Sequence, residues 1–206
     1  ALLAAAVSLV FLIFRPQMRE LEMRLEYDFG TDSAEFLSTM SGLTGVPLVG
    51  GNRIRILNNG REFYPEMLKA VAAAQYSVTM EMYIFTAESV GWQFVEALAE
   101  RARNGVSVKL LVDAVGGAGM SAGQIRVLTE AGCQFRWFHP IRWYNLHRVN
   151  NRNHRKSLIM DGRVAFTGGA GFQDHWLGSA RDPAEWRDIQ IRIDGPAVVP
   201  LQTGFA

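Results

Sequence analysis

The strongest constraint on the fold is the alternation of strand and helix patterns from Pro47 onward. Polar and apolar residues alternate over residues 53–57, as in a half-buried strand, and helical spacing follows over residues 63–74. The pattern then continues with predicted strands at residues 76–85 and 106–112 and predicted helices at residues 90–103 and 125–131. This order is typical of an α/β layer fold. We therefore predict a mixed, mainly parallel sheet flanked by helices.

Two shorter apolar runs follow, at residues 157–160 and 163–167. The dipeptide Asp161-Gly162 between them is typical of the two-residue turn of a β-hairpin. A last strand is predicted at residues 189–193, and it could lie beside the hairpin. The glycine-rich stretch 116–119 fits neither of the common phosphate-binding glycine patterns, so we interpret it as a loop between a strand and a helix.

The N-terminus is apolar and uncharged over residues 1–14. A helix that spans a bilayer needs about 20 residues, and the chain begins at Ala, so we expect a transmembrane helix that is incomplete here. A signal-peptide core and a buried helix are the alternatives. The arginines that follow favour a cytoplasmic location for the rest. The predicted organisation is an anchor at residues 1–15, a linker or juxtamembrane helix at 16–46 and a catalytic half-domain at 47–206.

The composition suits one folded core, because 49% of the 206 residues are hydrophobic and 20% are charged. The net charge of +1 gives no general attraction to nucleic acid. The segment from Arg136 to Arg163 is nevertheless rich in Arg and Lys, with Asp161 as its one acid, which favours anion binding. The histidines are not backed by cysteines at metal-binding spacing, so neither a metal nor another cofactor is predicted.

The basic segment contains His154 and Lys156. If the residues up to Met160 form a strand, both side chains project from the same face. An imidazole beside a fixed ammonium suits a phosphodiester, because the ammonium neutralises the non-bridging oxygens while the imidazole attacks phosphorus. A His with Lys at +2 and Asp at +7 arises by chance in roughly 0.2% of chains of this composition. We therefore predict that His154 and Lys156 are the reacting pair.

The carboxylates near this pair have different predicted roles. Asp161 completes the predicted catalytic set, but it has the wrong parity for the face of His154, so we interpret it as mainly structural, holding the hairpin turn and a neighbouring backbone amide. Asp188 opens the last predicted strand and is the candidate for orienting the imidazole. Glu81 and Asp113 end two predicted strands and could line a pocket, but we interpret them as capping residues or a buried pair.

These residues resemble the signature of the phospholipase D superfamily, which is H-x-K-x4-D followed, after six residues, by a pair of small residues. The matching residues are His154, Lys156, Asp161, Gly168 and Gly169. The sequence also resembles the cardiolipin synthase branch over about residues 50–206. The segments that carry this second resemblance are Tyr83-Ile84-Phe85, Asn104-Gly105-Val106, Arg152-Asn153-His154-Arg155-Lys156, Trp186-Arg187-Asp188 and Gly195-Pro196-Ala197-Val198. An apolar N-terminal anchor is typical of that branch as well.

The resemblance implies a two-step reaction without a metal or other cofactor. One histidine attacks phosphorus and forms a phosphohistidine, while a second histidine from another motif copy protonates the leaving alcohol. In the cardiolipin synthase type, one phosphatidylglycerol donates the phosphatidyl group, another accepts it, and glycerol is released. Arg155, Gly168 and Gly169 are then expected to contribute to substrate binding. The resemblance also implies a location at a bacterial cell membrane.

The chain departs from the family pattern at two points. Many members place an Asn two residues after the small pair, where this chain has Gly171; Gln173 or nearby backbone amides could substitute. The chain also carries one motif copy, because none of the other histidines has a Lys two residues later; they are His139, His147 and His175. We therefore expect the first half of a two-half enzyme, inactive until a second half or a second protomer completes it.

Two alternative functions remain open. One is a phospholipase D-type hydrolase or small nuclease that completes its site by homodimerisation, although the anchor and the branch-specific segments favour phospholipid over nucleic acid. The other is a membrane-tethered, non-catalytic half-domain that binds phospholipid through a site that never assembles.

Overall fold

The structure is a computed structural model that describes residues 28–143 and 149–205. The predicted anchor at residues 1–15 and His147 lie outside the described residues. None of the helices within the described ranges is long and apolar enough to cross a bilayer. The chain divides into two compact units, Ala1–Gly50 and Gly51–Ala206.

In the first unit, the described residues contain helix α1 (Ala34–Thr44). Ser33 precedes the helix, and its side-chain oxygen accepts a hydrogen bond from the Phe36 amide at 3.1 Å. The helix ends at Gly45, whose φ of 65° is the left-handed conformation that favours glycine at this position. No residue of α1 is buried. A helix therefore lies within the region predicted as a linker or juxtamembrane helix.

Among its described residues, the second unit contains one sheet of seven strands and four α-helices. The strands are β1 (Arg53–Asn58), β2 (Ser77–Met82), β3 (Ser107–Asp113), β4 (Gln134–Phe138), β5 (Ser157–Met160), β6 (Val164–Gly168) and β7 (Ile189–Asp194). The helices are α2 (Asn59–Ala73), α3 (Ser89–Arg103), α4 (Ala122–Glu130) and α5 (Val198–Thr203). The predicted α/β class is confirmed.

The strand order is β1-β7-β6-β5-β2-β3-β4, and the expectation of a mainly parallel sheet is wrong. Only the β2–β3 and β3–β4 pairs are parallel, and the other four pairs are antiparallel. Parallel neighbours need a crossover connection, and α3 and α4 supply the two that are made between adjacent strands. The tight turn between β5 and β6 forces those strands to run antiparallel, and β7 and β1 extend the antiparallel part.

The main core lies between the sheet and the three longer helices of the second unit. Strand side chains at every second position point into it, among them Met80, Leu110 and Phe166. Phe63 and Phe94 from two of these helices are fully buried against the same face. The opposite face carries a second, smaller cluster, in which the buried residues are Ile159, Ala165 and Val198.

Several elements differ from the sequence-based prediction. Residues 58–60, predicted as a turn, form the end of β1 and the start of α2, where Glu62 Oε2 accepts a hydrogen bond from Asn58 N at 2.8 Å. Strand β4 and helix α5 were not predicted. Strand β1 lies at the edge of the sheet, and Leu57 is its one buried residue.

The sheet brings all the predicted site residues except Asp161 to one end of its strands, which we call the site edge. Strand β2 ends there at Met82 and β3 at Asp113, because these two strands are parallel. Strand β5 runs the other way and begins at this edge with Ser157, opposite Glu81. Strand β6 ends here at Gly168. Loops at this edge therefore surround His154 and Lys156.

Candidate active site

His154 and Lys156 lie immediately before β5, because that strand begins at Ser157. The expectation that His154 and Lys156 belong to a strand, which would place both side chains on one face, is therefore wrong. The two side chains nevertheless meet, with Lys156 Nζ 3.3 Å from His154 Nδ1. The same ammonium donates a hydrogen bond to the backbone oxygen of His154 at 3.0 Å. The Lys156 side chain thus reaches back to His154, and this contact rather than strand alternation joins the pair.

Tyr83 lies beneath both members of the pair, just after the end of β2. Its ring centroid is 4.5 Å from that of the His154 imidazole, with 50° between the planes. Lys156 Nζ lies 5.3 Å from the centre of the same ring, within the range of a cation–π interaction. In the sequence, Tyr83 stands out only as part of a segment that resembles the cardiolipin synthase branch. In the structure, its ring contacts both His154 and Lys156.

The two members of the pair differ in exposure. The imidazole of His154 is exposed, whereas Lys156 is only 7% exposed. Burial lowers the pKa of Lys156 below that of an ordinary lysine, and the negative charge of Asp188 raises it in part. A desolvated ammonium interacts more strongly with a phosphate than a hydrated one does. The site therefore presents an accessible imidazole beside a partly desolvated cation.

Asp161 lies at the other end of β5, at the hairpin turn. Its φ of 53° and the φ of 61° at Gly162 are left-handed, as the favoured hairpin turn requires. The carboxylate accepts hydrogen bonds from three successive backbone amides, Gln75 N at 2.9 Å, Tyr76 N at 2.7 Å and Ser77 N at 2.8 Å. Partial burial raises the pKa of Asp161, but these amides outweigh it and hold the pKa below its usual value. This geometry supports a structural role at the turn.

We expect Asp161→Asn to lower the free energy of unfolding by about 1–2 kcal/mol at pH 7. The three amide hydrogen bonds are partly exposed, and they become weaker when their acceptor loses its negative charge. Asparagine tolerates the left-handed backbone at this position, so the change isolates the charge. Because folding depresses the pKa of Asp161, its contribution is complete above the ordinary value of 3.8 and is lost as the pH falls through the folded value.

Urea unfolding of both proteins should therefore show a constant difference between pH 5 and 8 that shrinks below about pH 4. Asp32→Asn, on an exposed turn, is the charge-matched control. A difference that stays constant down to pH 2 would contradict the role of the Asp161 carboxylate.

The glycine pair lies where β6 approaches the start of β7. A Cβ atom on Gly168 would collide with the backbone oxygen of Ile189. A Cβ atom on Gly169 would lie 2.5 Å from Asp188 Oδ1. The β7 backbone therefore excludes a side chain at Gly168, whereas a side chain at Gly169 would have to displace the Asp188 carboxylate.

Asp188 is close to the site but does not contact His154. Its Oδ1 accepts a hydrogen bond from Ile189 N at 2.8 Å, and its backbone oxygen accepts one from Asn59 N at 2.9 Å. Among the described residues, its link to the reacting pair is its charge, which acts on Lys156. The orienting role of Asp188 stays a prediction.

Arg155 is exposed and points along the cleft beside the pair. Its Nη1 donates a hydrogen bond to Gly204 O at 2.7 Å and lies 3.9 Å from Glu81 Oε1. Arg155 therefore ties the end of α5 to the site. Its predicted part in substrate binding stays a prediction.

A cleft of about 420 Å³ opens between the pair and α5. One wall is polar and comes from the strands, and the other is formed by the end of α5 and the residue that follows it. The lining residues are Glu81, His154, Arg155, Lys156, Ser157, Thr167, Gly168, Pro200, Leu201 and Gly204. The cleft thus joins cationic and hydroxyl groups to an apolar wall. Such a combination fits a phosphodiester that carries an apolar substituent.

Gly171 is buried, and the structure shows why this chain has no side chain there. A Cβ atom would lie 2.6 Å from the backbone oxygen of Ile84. The backbone oxygen of Gly171 accepts a hydrogen bond from the Tyr64 hydroxyl at 2.7 Å. The local packing therefore excludes the asparagine that many family members place at this position.

Within residues 28–143 and 149–205, no group of three or more His, Cys, Asp or Glu side chains is arranged to hold a metal ion.

The fold matches solved structures of phospholipase D proteins. Nuc from Salmonella typhimurium, a phospholipase D family member, has a TM-score of 0.55 and 19% identity over 75% of this chain and 91% of its own. This likeness shows that the chain has the fold of the phospholipase D proteins.

Sequence comparison narrows the class further. The family described as "Cardiolipin synthase, PLD-like domain" matches residues 67–182. Cardiolipin synthase 1 of Bacillus anthracis is 31% identical over 189 residues, which are 91% of this chain and 37% of that protein. Cardiolipin synthase A of Pseudomonas fluorescens is 33% identical over 171 residues, which are 82% of this chain and 36% of that protein. The chain belongs to the cardiolipin synthase family of PLD-like domains, and it spans little more than a third of the length of these relatives.

Proposed function

We propose that this chain forms one half of the active site of a phosphatidyltransferase of the cardiolipin synthase type. The enzyme transfers a phosphatidyl group from one phosphatidylglycerol to another and releases glycerol. The observation that carries the proposal is the contact of 3.3 Å between Lys156 Nζ and His154 Nδ1 at the mouth of the cleft, in a chain of this family. Because the substrate is a bilayer lipid, the site works at a membrane surface.

In the first step, a ring nitrogen of His154 forms a bond to phosphorus as the bond from phosphorus to the glycerol oxygen breaks. A histidine of the second half gives its proton to that oxygen, and glycerol leaves. The Lys156 ammonium stabilises the charge that grows on the non-bridging oxygens. In the second step, a hydroxyl of another phosphatidylglycerol attacks phosphorus, its proton returns to the histidine of the second half, and the bond to His154 breaks.

The resting contact suits an imidazole whose proton lies on Nε2, because a lysine ammonium has donors and no acceptor for Nδ1. Attack from Nε2 needs the proton on Nδ1 and a carboxylate to accept its hydrogen bond. When a phosphate binds, the Lys156 ammonium turns toward its oxygens and frees Nδ1, and exchange with water moves the ring proton from Nε2 to Nδ1. Asp188, whose charge already acts on Lys156, is the carboxylate that then accepts the hydrogen bond from Nδ1–H.

The second half of the site belongs to the same proposal. This chain carries one H-x-K-x4-D motif, and the family relatives are longer than the stretch that matches it. A second motif, either in the same protein or in a second protomer, supplies the other histidine and closes the cleft. The chain of 206 residues by itself is expected to be inactive.

The product of the full-length protein tests the function. Incubation with phosphatidylglycerol in detergent micelles should give cardiolipin and glycerol in equal amounts, as thin-layer chromatography and an enzymatic glycerol assay would show. Phosphatidic acid as the only lipid product would favour the hydrolase. Cleavage of DNA without any lipid product would favour the nuclease. Saturable lipid binding without any product would favour the non-catalytic domain.

We expect Asp188→Asn to lower kcat by about 100-fold with little change in thermal stability, because the amide keeps the shape beside Gly169 but cannot stabilise a positive imidazole. The Asp188 charge also raises the pKa of Lys156, so removing it lets Lys156 lose its proton at lower pH. The alkaline limb of the kcat/KM profile should therefore shift to lower pH.

Asp182→Asn, in the exposed loop that precedes Asp188, is the matched control and should leave the profile unchanged. Asp161→Ala provides the opposite comparison. If it were folded and inactive while Asp188→Ala stayed active, Asp161 rather than Asp188 would be the orienting carboxylate.

A further inference from the structure

Two buried carboxylates stand at the site edge and take no part in the steps above. Glu81 is 3% exposed and Asp113 is fully buried. They lie at the carboxyl ends of neighbouring parallel strands, β2 and β3. An ionised carboxylate away from water costs free energy unless hydrogen-bond donors surround it. The conformation that gives hydrogen-bond donors to both carboxylates is therefore the stable one for the surrounding loops.

Many of those donors come from the segment that carries the reacting pair. The backbone amide of Asn153 donates to Asp113 Oδ2 at 2.9 Å, and its side-chain Nδ2 donates to Glu81 Oε1 at 3.1 Å. Asn153 Oδ1 in turn accepts a hydrogen bond from Arg155 N at 3.1 Å. Asn153 is itself buried. The residue directly before His154 is thus held by three hydrogen bonds to three different partners.

The same carboxylates hold the two ends of the segment. At its start, Arg152 Nη1 lies 3.3 Å from Asp113 Oδ1. At its end, Ser157 Oγ lies 3.4 Å from Glu81 Oε2. Residues 153–156 lie outside the strand ladder in this structure, because pairing with β2 begins at Ser157. Hydrogen bonds to Glu81 and Asp113 therefore replace the backbone pairing that would otherwise fix this stretch.

We propose that Glu81, Asp113 and Asn153 are positioning residues that hold His154 and Lys156 in their reactive arrangement. If the segment moved, both buried carboxylates would lose donors, so each conformation that displaces His154 is disfavoured. Misplacement of a reacting group by about 1 Å can cost about 100-fold in rate. The inference rests on the proposed transfer reaction for its kinetic readout.

Three variants of the full-length protein test this role. Asn153→Ala removes the side-chain hydrogen bonds to Glu81 and to the Arg155 amide, and it keeps the backbone hydrogen bond to Asp113. Glu81→Ala removes one carboxylate, and Glu81→Gln keeps an acceptor for Asn153 Nδ2 while removing the charge. Arg192→Met is the control for a loss of stability, because Arg192 forms ion pairs with Asp194 and Glu66 in another part of the sheet.

For Asn153→Ala and Glu81→Ala, kcat should fall about 100-fold while KM for phosphatidylglycerol stays within about threefold. Glu81→Gln should recover kcat to within about tenfold of the wild type, since the hydrogen bond rather than the charge holds Asn153. Arg192→Met should lower the melting temperature and leave kcat unchanged. A wild-type kcat in Asn153→Ala, or a loss of the same size in Arg192→Met, would overturn the proposal.

Hydrogen exchange gives a second readout that needs no turnover. In Asn153→Ala, the amide of Arg155 loses its acceptor, so a peptide covering residues 150–157 should exchange at least about tenfold faster at that amide. If the wild-type protein did not act on phosphatidylglycerol, the proposed function would fail while this measurement still decided the positioning role. Unchanged exchange would overturn that role whatever happened to kcat, because Asn153 would then act by another route.

Discussion

Replacing His154 with alanine is expected to lower turnover of phosphatidylglycerol by at least about 10⁴-fold, because the variant has no nucleophile to form the phosphohistidine. The change should leave the fold intact, since the imidazole is exposed and its side-chain contacts are with Tyr83 and Lys156. Initial rates of cardiolipin formation and thermal melting of both proteins measure the two effects.

A trapping experiment separates two ways in which His154→Ala could be inactive. Phosphatidylglycerol with a radioactive phosphate should label the wild-type protein through a bond that acid breaks. If His154 is the nucleophile, the variant should not be labelled. If labelled protein instead formed in the variant, the histidine of the second half would be the nucleophile and His154 the proton donor. Turnover within tenfold of the wild type would contradict any role for His154 in the reaction.

Lys156→Met is expected to lower kcat/KM by about 10³-fold, because methionine fills a similar space without the charge that meets the phosphate oxygens. The protein should stay folded, since removing a buried charge relieves a desolvation cost. The lowered pKa of Lys156 adds a second expectation, that wild-type activity falls at a lower pH than the pKa of an ordinary lysine would give.

Lys156→Arg is the conservative comparison. A guanidinium is planar and larger than an ammonium, and the space between the Tyr83 ring and the backbone oxygen of His154 fits a compact cation. The variant should keep less than a tenth of wild-type activity and lose the alkaline fall within the accessible pH range. Full activity in Lys156→Arg would show that charge alone, without the geometry of the pair, is sufficient.

Parts of the fold and site follow from local sequence rules. The hairpin around Asp161-Gly162 was predicted because the left-handed turn needs residues of this kind, and the structure has the expected positive φ angles. The small residues at positions 168 and 169 were expected from the family resemblance, and the close approach of the β7 backbone and of the Asp188 carboxylate explains them. The α/β class followed from the alternation of patterns along the chain.

Other features depend on long-range pairing that local patterns do not encode. Four of the six strand pairs are antiparallel, and two of these, β2–β5 and β1–β7, join strands that are far apart in the sequence. The proposed roles of Glu81 and Asp113 could not be predicted for a similar reason. Each ends a strand in the ordinary way, and its partner Asn153 lies at least 40 residues further along the chain. The one available signal was that two acids end neighbouring predicted strands.

The position of the hairpin turn has a consequence for how such proteins are recognised. Strand β5 separates His154 and Lys156 from Asp161, and at ~3.3 Å per residue its four residues span about 13 Å. The motif therefore has two unlike parts. His154 and Lys156 lie at one end of β5, where the reaction is proposed, and Asp161 lies at the other end, where the chain reverses. A relative that kept Asp161 and lost His154 would fold the same hairpin and still score as a partial match. In this fold, Asp161 indicates the hairpin architecture, and only His154 and Lys156 lie where the proposed reaction takes place.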